Sequence, residues 1–158
     1  MIKPLEEFDL NPCPKGCKCD VCKFGLSMDE VKKKQEAYME KCGFFSHFVD
    51  EELDGFVNYH THGFSKTWNH PDFQMVIPIE HALANEIFWD FAERVKNGEK
   101  FKPGDQVDKV IRNYPVRLAR ATEGNREVLR IIYPDKNGLF PGDDGVNYKY
   151  GKQPNVEV

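Results

Sequence analysis

The run Phe44-Phe45-Ser46-His47-Phe48-Val49, an acidic turn ending in Asp54-Gly55, and the run Phe56-Val57-Asn58-Tyr59-His60-Thr61-His62 together decide the fold class. Both runs are rich in aromatic and β-branched residues, which suit a pleated, half-buried surface, and an Asp-Gly step supplies the positive-φ residue of a tight reversal. The pair reads as a β-hairpin. Alternation in its second arm puts Val57, Tyr59 and Thr61 on one face, the side expected under a helix, and Asn58, His60 and His62 on the other.

Outward from the hairpin, Phe73-Gln74-Met75-Val76-Ile77 reads as a third strand closed by Pro78. Between Glu80 and Asn97, Leu83, Ile87, Phe91 and Val95 recur every fourth residue, with Ala84, Phe88 and Ala92 in the adjoining row. That stripe predicts an amphipathic helix with a core-facing side, stopped at Gly98. Upstream, Ser27-Met28-Asp29-Glu30 is a capping box, which predicts a helix over 28–42 ending at Gly43. Downstream, 116–121 and 128–133 form a second hairpin around Thr122-Glu123-Gly124-Asn125, and 134–143 reads as loop.

Strands gathered as hairpins, with helices set between them, predict an α+β fold: an antiparallel sheet of about five strands with one long amphipathic helix packed on it. The chain divides into a Cys-rich N-terminal knuckle at 1–26, a single α+β domain at 27–150 and a C-terminal tail at 151–158.

Composition narrows the function classes. With 158 residues the chain can enclose one core, and 40% hydrophobic against 30% charged residues excludes disorder. A formal charge of −4 argues against a nucleic-acid surface, and the Lys32-Lys33-Lys34 run is flanked by Glu30 and Glu36, as on a solvated helix face. No apolar run approaches the roughly 18 residues of a membrane-spanning helix. The first ten residues carry acids where a secretory signal needs a basic start and an apolar run. An odd count of five cysteines, four of them crowded together, suits reduced thiols in a cytoplasm better than a disulfide framework.

Two ligand sets stand out. Cys13, Cys17, Cys19 and Cys22 form C-x3-C-x-C-x2-C, and Zn²⁺ held by such thiolates would order a turn-rich segment. An iron-sulfur cluster is the weaker alternative, since the spacing fits neither common ferredoxin run, and plain reduced cysteines in a loop are the simplest reading. Cys42 reads as a small buried hydrophobe. The second set is His60 and His62, two apart on one strand face, with His70 folding back as a third ligand and Asp72 as a fourth ligand or a base. Local structure is the competing reading for all three histidines. His47 and His81 read as structural.

Arg117 and Arg130 could flank an anion pocket, although pairing with nearby carboxylates is the commoner use. Asp135, Asp143 and Asp144 could bind a cation, although their Gly- and Pro-rich loop suits a plain connector. No phosphate-binding loop, dinucleotide fingerprint, nucleophile elbow or His-Glu-x-x-His helix is present.

Six blocks resemble the bacterial family catalogued as domain of unknown function 4262. They are Tyr59-His60-Thr61-His62-Gly63-Phe64, His70-Pro71-Asp72-Phe73, Ala92-Glu93-Arg94-Val95-Lys96-Asn97-Gly98-Glu99, Phe101-Lys102-Pro103-Gly104-Asp105, Tyr114-Pro115-Val116-Arg117 and Tyr133-Pro134-Asp135-Lys136-Asn137-Gly138. The resemblance implies no particular reaction. Many members read Tyr-Thr-Val-Gly-Leu at positions 60–64, so it implies the two histidines for a subgroup at most, and the Cys-rich segment lies outside it.

The sequence thus points to a small zinc-binding module, an accessory to an unknown protein or small-molecule partner. The alternative is a hydrolase-like enzyme in which His60, His62 and His70 hold a metal-bound water of lowered pKa. The absence of a motif fixing a base or nucleophile favours the module.

Overall fold

The computed structural model describes residues 28–53 and 56–155. The cysteine cluster at 13–22, the Ser27 cap and the Asp54-Gly55 turn lie outside the described residues. The elements run α1 Met28–Cys42, β1 Phe45–Leu53, β2 Phe56–His62, α2 Phe64–Trp68, β3 Phe73–Val76, α3 His81–Lys96, β4 Gln106–Val107, β5 Val116–Glu123, β6 Arg126–Ile132 and α4 Tyr148–Gly151, followed by a 3₁₀ turn at Gln153–Asn155.

Helix α1 carries Asp29 and Glu30 in its first turn and Lys41 in its last, complementing the helix dipole. It stops where Gly43 turns to φ 84° and its N–H bonds back to Met39 O at 3.0 Å. The five-residue α2 occupies ground expected as loop; Asp72 accepts from the Phe64 N–H at its start.

The strands form one sheet in the order β1-β2-β3-β6-β5-β4. The fold is α+β, but the sheet has six strands rather than five and is not wholly antiparallel. Strand β4, only Gln106 and Val107, is too short to leave an alternation signal. Strands β3 and β6 run parallel, with Phe73 opposite Leu129 and Gln74 opposite Arg130. A parallel pair needs a long crossover. Here the chain between them contains α3, β4 and β5.

One face of the sheet packs on α3. Phe44 and Phe48 of the first hairpin, Tyr59, Phe73, Met75, Leu118, Leu129 and Ile131 share a core cluster with Ala84, Ile87, Phe88, Phe91, Ala92 and Val95 of the helix. The Phe73 and Phe91 rings lie 4.6 Å apart, and Ser46 Oγ donates to Asn85 Oδ1 at 3.2 Å, so this is the face predicted to lie under the helix. Fully burying a ring such as Phe91 contributes about 1.5–3 kcal/mol.

The opposite face is polar where β1, β2 and β3 meet. Strand β3 pairs with β2 only as far as Gln74 opposite His60. Beyond that point Arg126, at the tip of the β5–β6 hairpin, donates to Thr61 O at 2.6 Å. This notch brings the hairpin tip to the histidine end of β2. Further along, Gln153 is buried and bridges Tyr133, accepting from its N–H at 2.7 Å and donating to its carbonyl at 2.6 Å.

Candidate metal centre

The β1–β2 register sets His47 directly opposite His60, with Phe45 opposite His62. Cross-strand neighbours on one face have Cβ atoms about 5 Å apart, so the three imidazoles must meet. Their centroids are 4.0 Å apart for His47–His60, 4.6 Å for His47–His62 and 5.1 Å for His60–His62. The Nε2 atoms of His47 and His60 are in direct contact, and those of His47 and His62 are 3.1 Å apart. Each ring offers a ligand atom, all within 4.8 Å of one another. Two nitrogens on one tetrahedral Zn²⁺, each bonded at 2.0–2.1 Å, stand roughly 3.3 Å apart.

Burial holds all three rings neutral. His47 is pushed down to about 3, first by desolvation and then by His62 and Arg126. His62 is lowered to about 4 by desolvation and Arg126, opposed by Glu123. His60, only 1% exposed, is lowered too, by desolvation first and then by His47, His62 and Arg126. Neutral imidazole is the form that binds a metal.

A chain of hydrogen bonds fixes which nitrogen of His60 carries the proton. Arg130 can only donate, and its Nε meets Gln74 Oε1 at 2.9 Å. Gln74 therefore turns its NH₂ to Asn58 Oδ1, at 3.1 Å. Asn58 Oδ1 also faces His60 Nδ1 at 3.2 Å, so Nδ1 must be the donor. A neutral imidazole has one N–H, so Nε2 of His60 is left as a bare lone pair pointing at His47. A remote ring nitrogen held by a neighbouring acceptor is the usual support of a histidine ligand.

Nε2 of His60 also lies 3.3 Å from Glu123 Oε1. Because His60 is neutral with its proton on Nδ1, this contact is not an ion pair; it joins two acceptors. Arg126 secures the other carboxylate oxygen, Nε to Oε2 at 2.8 Å, and spans to Asp72 Oδ2 at 2.9 Å.

The structure brings His60 and His62 together, and the ring that joins them is His47, read from the sequence as structural. His70 lies elsewhere. It stacks on Phe73 at 5.3 Å, its Nδ1 donates to Pro71 O at 2.8 Å, and its Nε2 accepts from the Phe101 N–H at 3.0 Å. Both nitrogens are thus engaged away from the centre, and burial lowers its pKa. Asp72 faces the start of α2, where its Oδ1 accepts from Thr61 Oγ1 at 2.9 Å and Phe64 N at 3.2 Å. Burial raises the Asp72 carboxyl pKa, opposed by Arg126 and these donors.

Among the secondary candidates, Arg117 lies over the Phe140 ring at 4.0 Å, while Arg130 is buried and donates to Gln74 and to Gln153 O. The two arginines serve separate contacts. Asp135 accepts from the N–H groups of Asn137, Leu139 and Asn147, organising its own loop. His81 lies against Phe48, with ring centroids 3.9 Å apart. Cys42 is half-buried beside the core.

Fold and site together define a mixed α+β domain with a largely buried histidine triad on the polar face of its sheet. A family model described as domain of unknown function (DUF4262) matches residues 38–147, more than two thirds of the chain, and the chain belongs to that family. The matched span contains the triad, Glu123, Arg126 and the Arg130-to-His60 relay. No curated protein and no solved structure is significantly similar to the chain.

Proposed function

We propose that this domain is a metal-binding module that holds one Zn²⁺ ion on the Nε2 atoms of His47, His60 and His62. The observation that carries the reading is the convergence of three neutral imidazoles with the lone pair of at least one, His60, forced inward by the Arg130-Gln74-Asn58 relay. Without an ion these nitrogens crowd one another with too few hydrogens between them. A cation between them turns mutual repulsion into coordination. Zinc suits a nitrogen-rich, tetrahedral set of this size.

The module reading is preferred to the hydrolase reading because His70 and Asp72, the groups assigned to an enzyme, are committed to Phe101, Pro71, Thr61 and the start of α2. No helix among the described residues is long and apolar enough to cross a membrane. A cytoplasmic setting suits the reduced cysteines, and the cysteine cluster at 13–22 is a second, separate zinc candidate. Partner and ligand selection would lie with the surface around the triad.

Zinc titration of the metal-free, untagged protein against a chromophoric chelator tests the reading. His60→Ala and His47→Ala should each abolish one equivalent of tight binding, while His70→Ala should leave it. Retention of full zinc stoichiometry in both triad variants would remove the histidine centre from consideration.

A further inference from the structure

We propose that Glu123 supplies the fourth ligand of this centre, making it a closed three-histidine, one-carboxylate site with no position left for a metal-bound water. The inference rests on the triad being a metal site.

A carboxylate near a metal-binding histidine can sit in two places. As outer support it accepts from the remote, protonated ring nitrogen; as a ligand it stands beside the coordinating one. In His60 the remote nitrogen is already taken, since Nδ1 donates to Asn58 Oδ1. Glu123 Oε1 lies at the other nitrogen, 3.3 Å from Nε2. Two acceptor atoms meet there with no hydrogen between them. Two ligand atoms on one tetrahedral zinc are separated by about the same distance.

Charge points the same way. Three neutral imidazoles leave a divalent ion uncompensated in a buried place, where unpaired charge is costly. Glu123 brings a negative charge to the centre's edge, while Asp72 is paired with Arg126 at the start of α2. Arg126 binds Glu123 through Oε2 only, which leaves Oε1 free to bind the ion with one oxygen. Glu123 approaches from the His60 side and stands outside the group of ligand atoms that lie within 4.8 Å of one another, so closing the shell takes an inward movement of Oε1 while Arg126 keeps Oε2.

The consequence is functional. A site with four protein ligands holds its ion as a fixed structural or regulatory element, whereas catalytic zinc keeps an open position for water. The sequence also explains how Glu123 arrives. The two-residue Gly124-Asn125 turn sets Glu123, the last residue of β5, opposite Arg126, the first of β6, whose bond to Thr61 O brings the hairpin tip to the notch beside β2.

Cobalt(II) substitution of the full-length protein tests the assignment. Visible absorption reports ligand number and type, and a sulfur-to-cobalt charge-transfer band marks any ion taken by the cysteines instead. Wild-type protein should give a four-coordinate, thiolate-free spectrum. Glu123→Gln, which keeps an oxygen for Arg126, should weaken cobalt and zinc binding at least tenfold and shift the spectrum as water enters the shell, with unchanged far-ultraviolet circular dichroism. Arg120→Gln, which breaks only the exposed pair with Glu127 on the same hairpin, serves as the control: it should retain the four-coordinate spectrum. If Glu123→Gln matches wild type in affinity and spectrum while His60→Ala binds nothing, the glutamate assignment falls and the triad stands. If wild-type protein itself takes up no thiolate-free ion, the metal reading falls with it.

Discussion

Acidification should unfold the metal-free protein unusually early, because the triad must stay neutral to remain packed. His47 and His62 titrate in the folded protein at about 3 and about 4, against 6.5 in an unfolded chain, and His60 is also lowered. Below pH 6.5 the unfolded chain takes up protons that the folded one refuses, so stability falls as pH falls, and the loss is complete only when the folded pKa values are reached. From pH 7 to pH 5 each histidine costs about 2 kcal/mol, and the three together roughly 6 kcal/mol. That is comparable with the whole stability of a domain, typically about 5–15 kcal/mol. His70 adds to the loss, whereas the raised carboxyl of Asp72 works in the opposite direction. The assay is urea unfolding of zinc-free protein at pH 7, 6 and 5, followed by far-ultraviolet circular dichroism. His62→Gln should recover about 2 kcal/mol of the acid loss, which separates the triad from every other titrating group. A urea midpoint that stays constant from pH 7 to pH 5 would refute the neutral-triad reasoning.

Three further outcomes are expected. Asn58→Leu removes the acceptor that holds His60 Nδ1 and should lower zinc affinity about 10- to 100-fold, measured by chelator competition. Thr61→Val strips the Thr61 hydroxyl from both Asp72 and the Phe73 N–H and should cost about 1–3 kcal/mol in chemical denaturation. Gly63→Ala should lower the melting temperature by several degrees, since residue 63 sits at φ 111° and a Cβ there would stand 2.6 Å from Met39 Sδ and 2.7 Å from Gly43 O.

The hairpins, the long helix and the faces of β2 were legible because alternation and helical period are local signals. Val57, Tyr59 and Thr61 turned inward as their spacing requires, and His60 and His62 fell together for the same reason. The parallel β3–β6 pair left no local trace, because its partners are separated by α3 and two other strands. His47 was the larger omission. Its position depends on the β1–β2 register, and that register shifts between Val49 and Leu53, which no residue pattern announces. The register pairs odd positions of β1 with even positions of β2, and so sets His47 on the face of His60 and His62. Glu123 and Arg126 were hidden by distance in sequence, since Glu123 lies 61 positions beyond His62 along the chain. His70 and Asp72 were drawn into the candidate site by proximity in sequence, while the short α2 that intervenes turns them towards Phe101, Thr61 and its own first turn.

Crystals of the full-length protein grown with excess zinc, with diffraction collected on both sides of the zinc absorption edge, test the triad most directly. The expected result is one anomalous peak about 2.0–2.1 Å from the Nε2 atoms of His47, His60 and His62. A peak confined to the cysteine segment, with the three imidazoles still in contact and no ion between them, would contradict it.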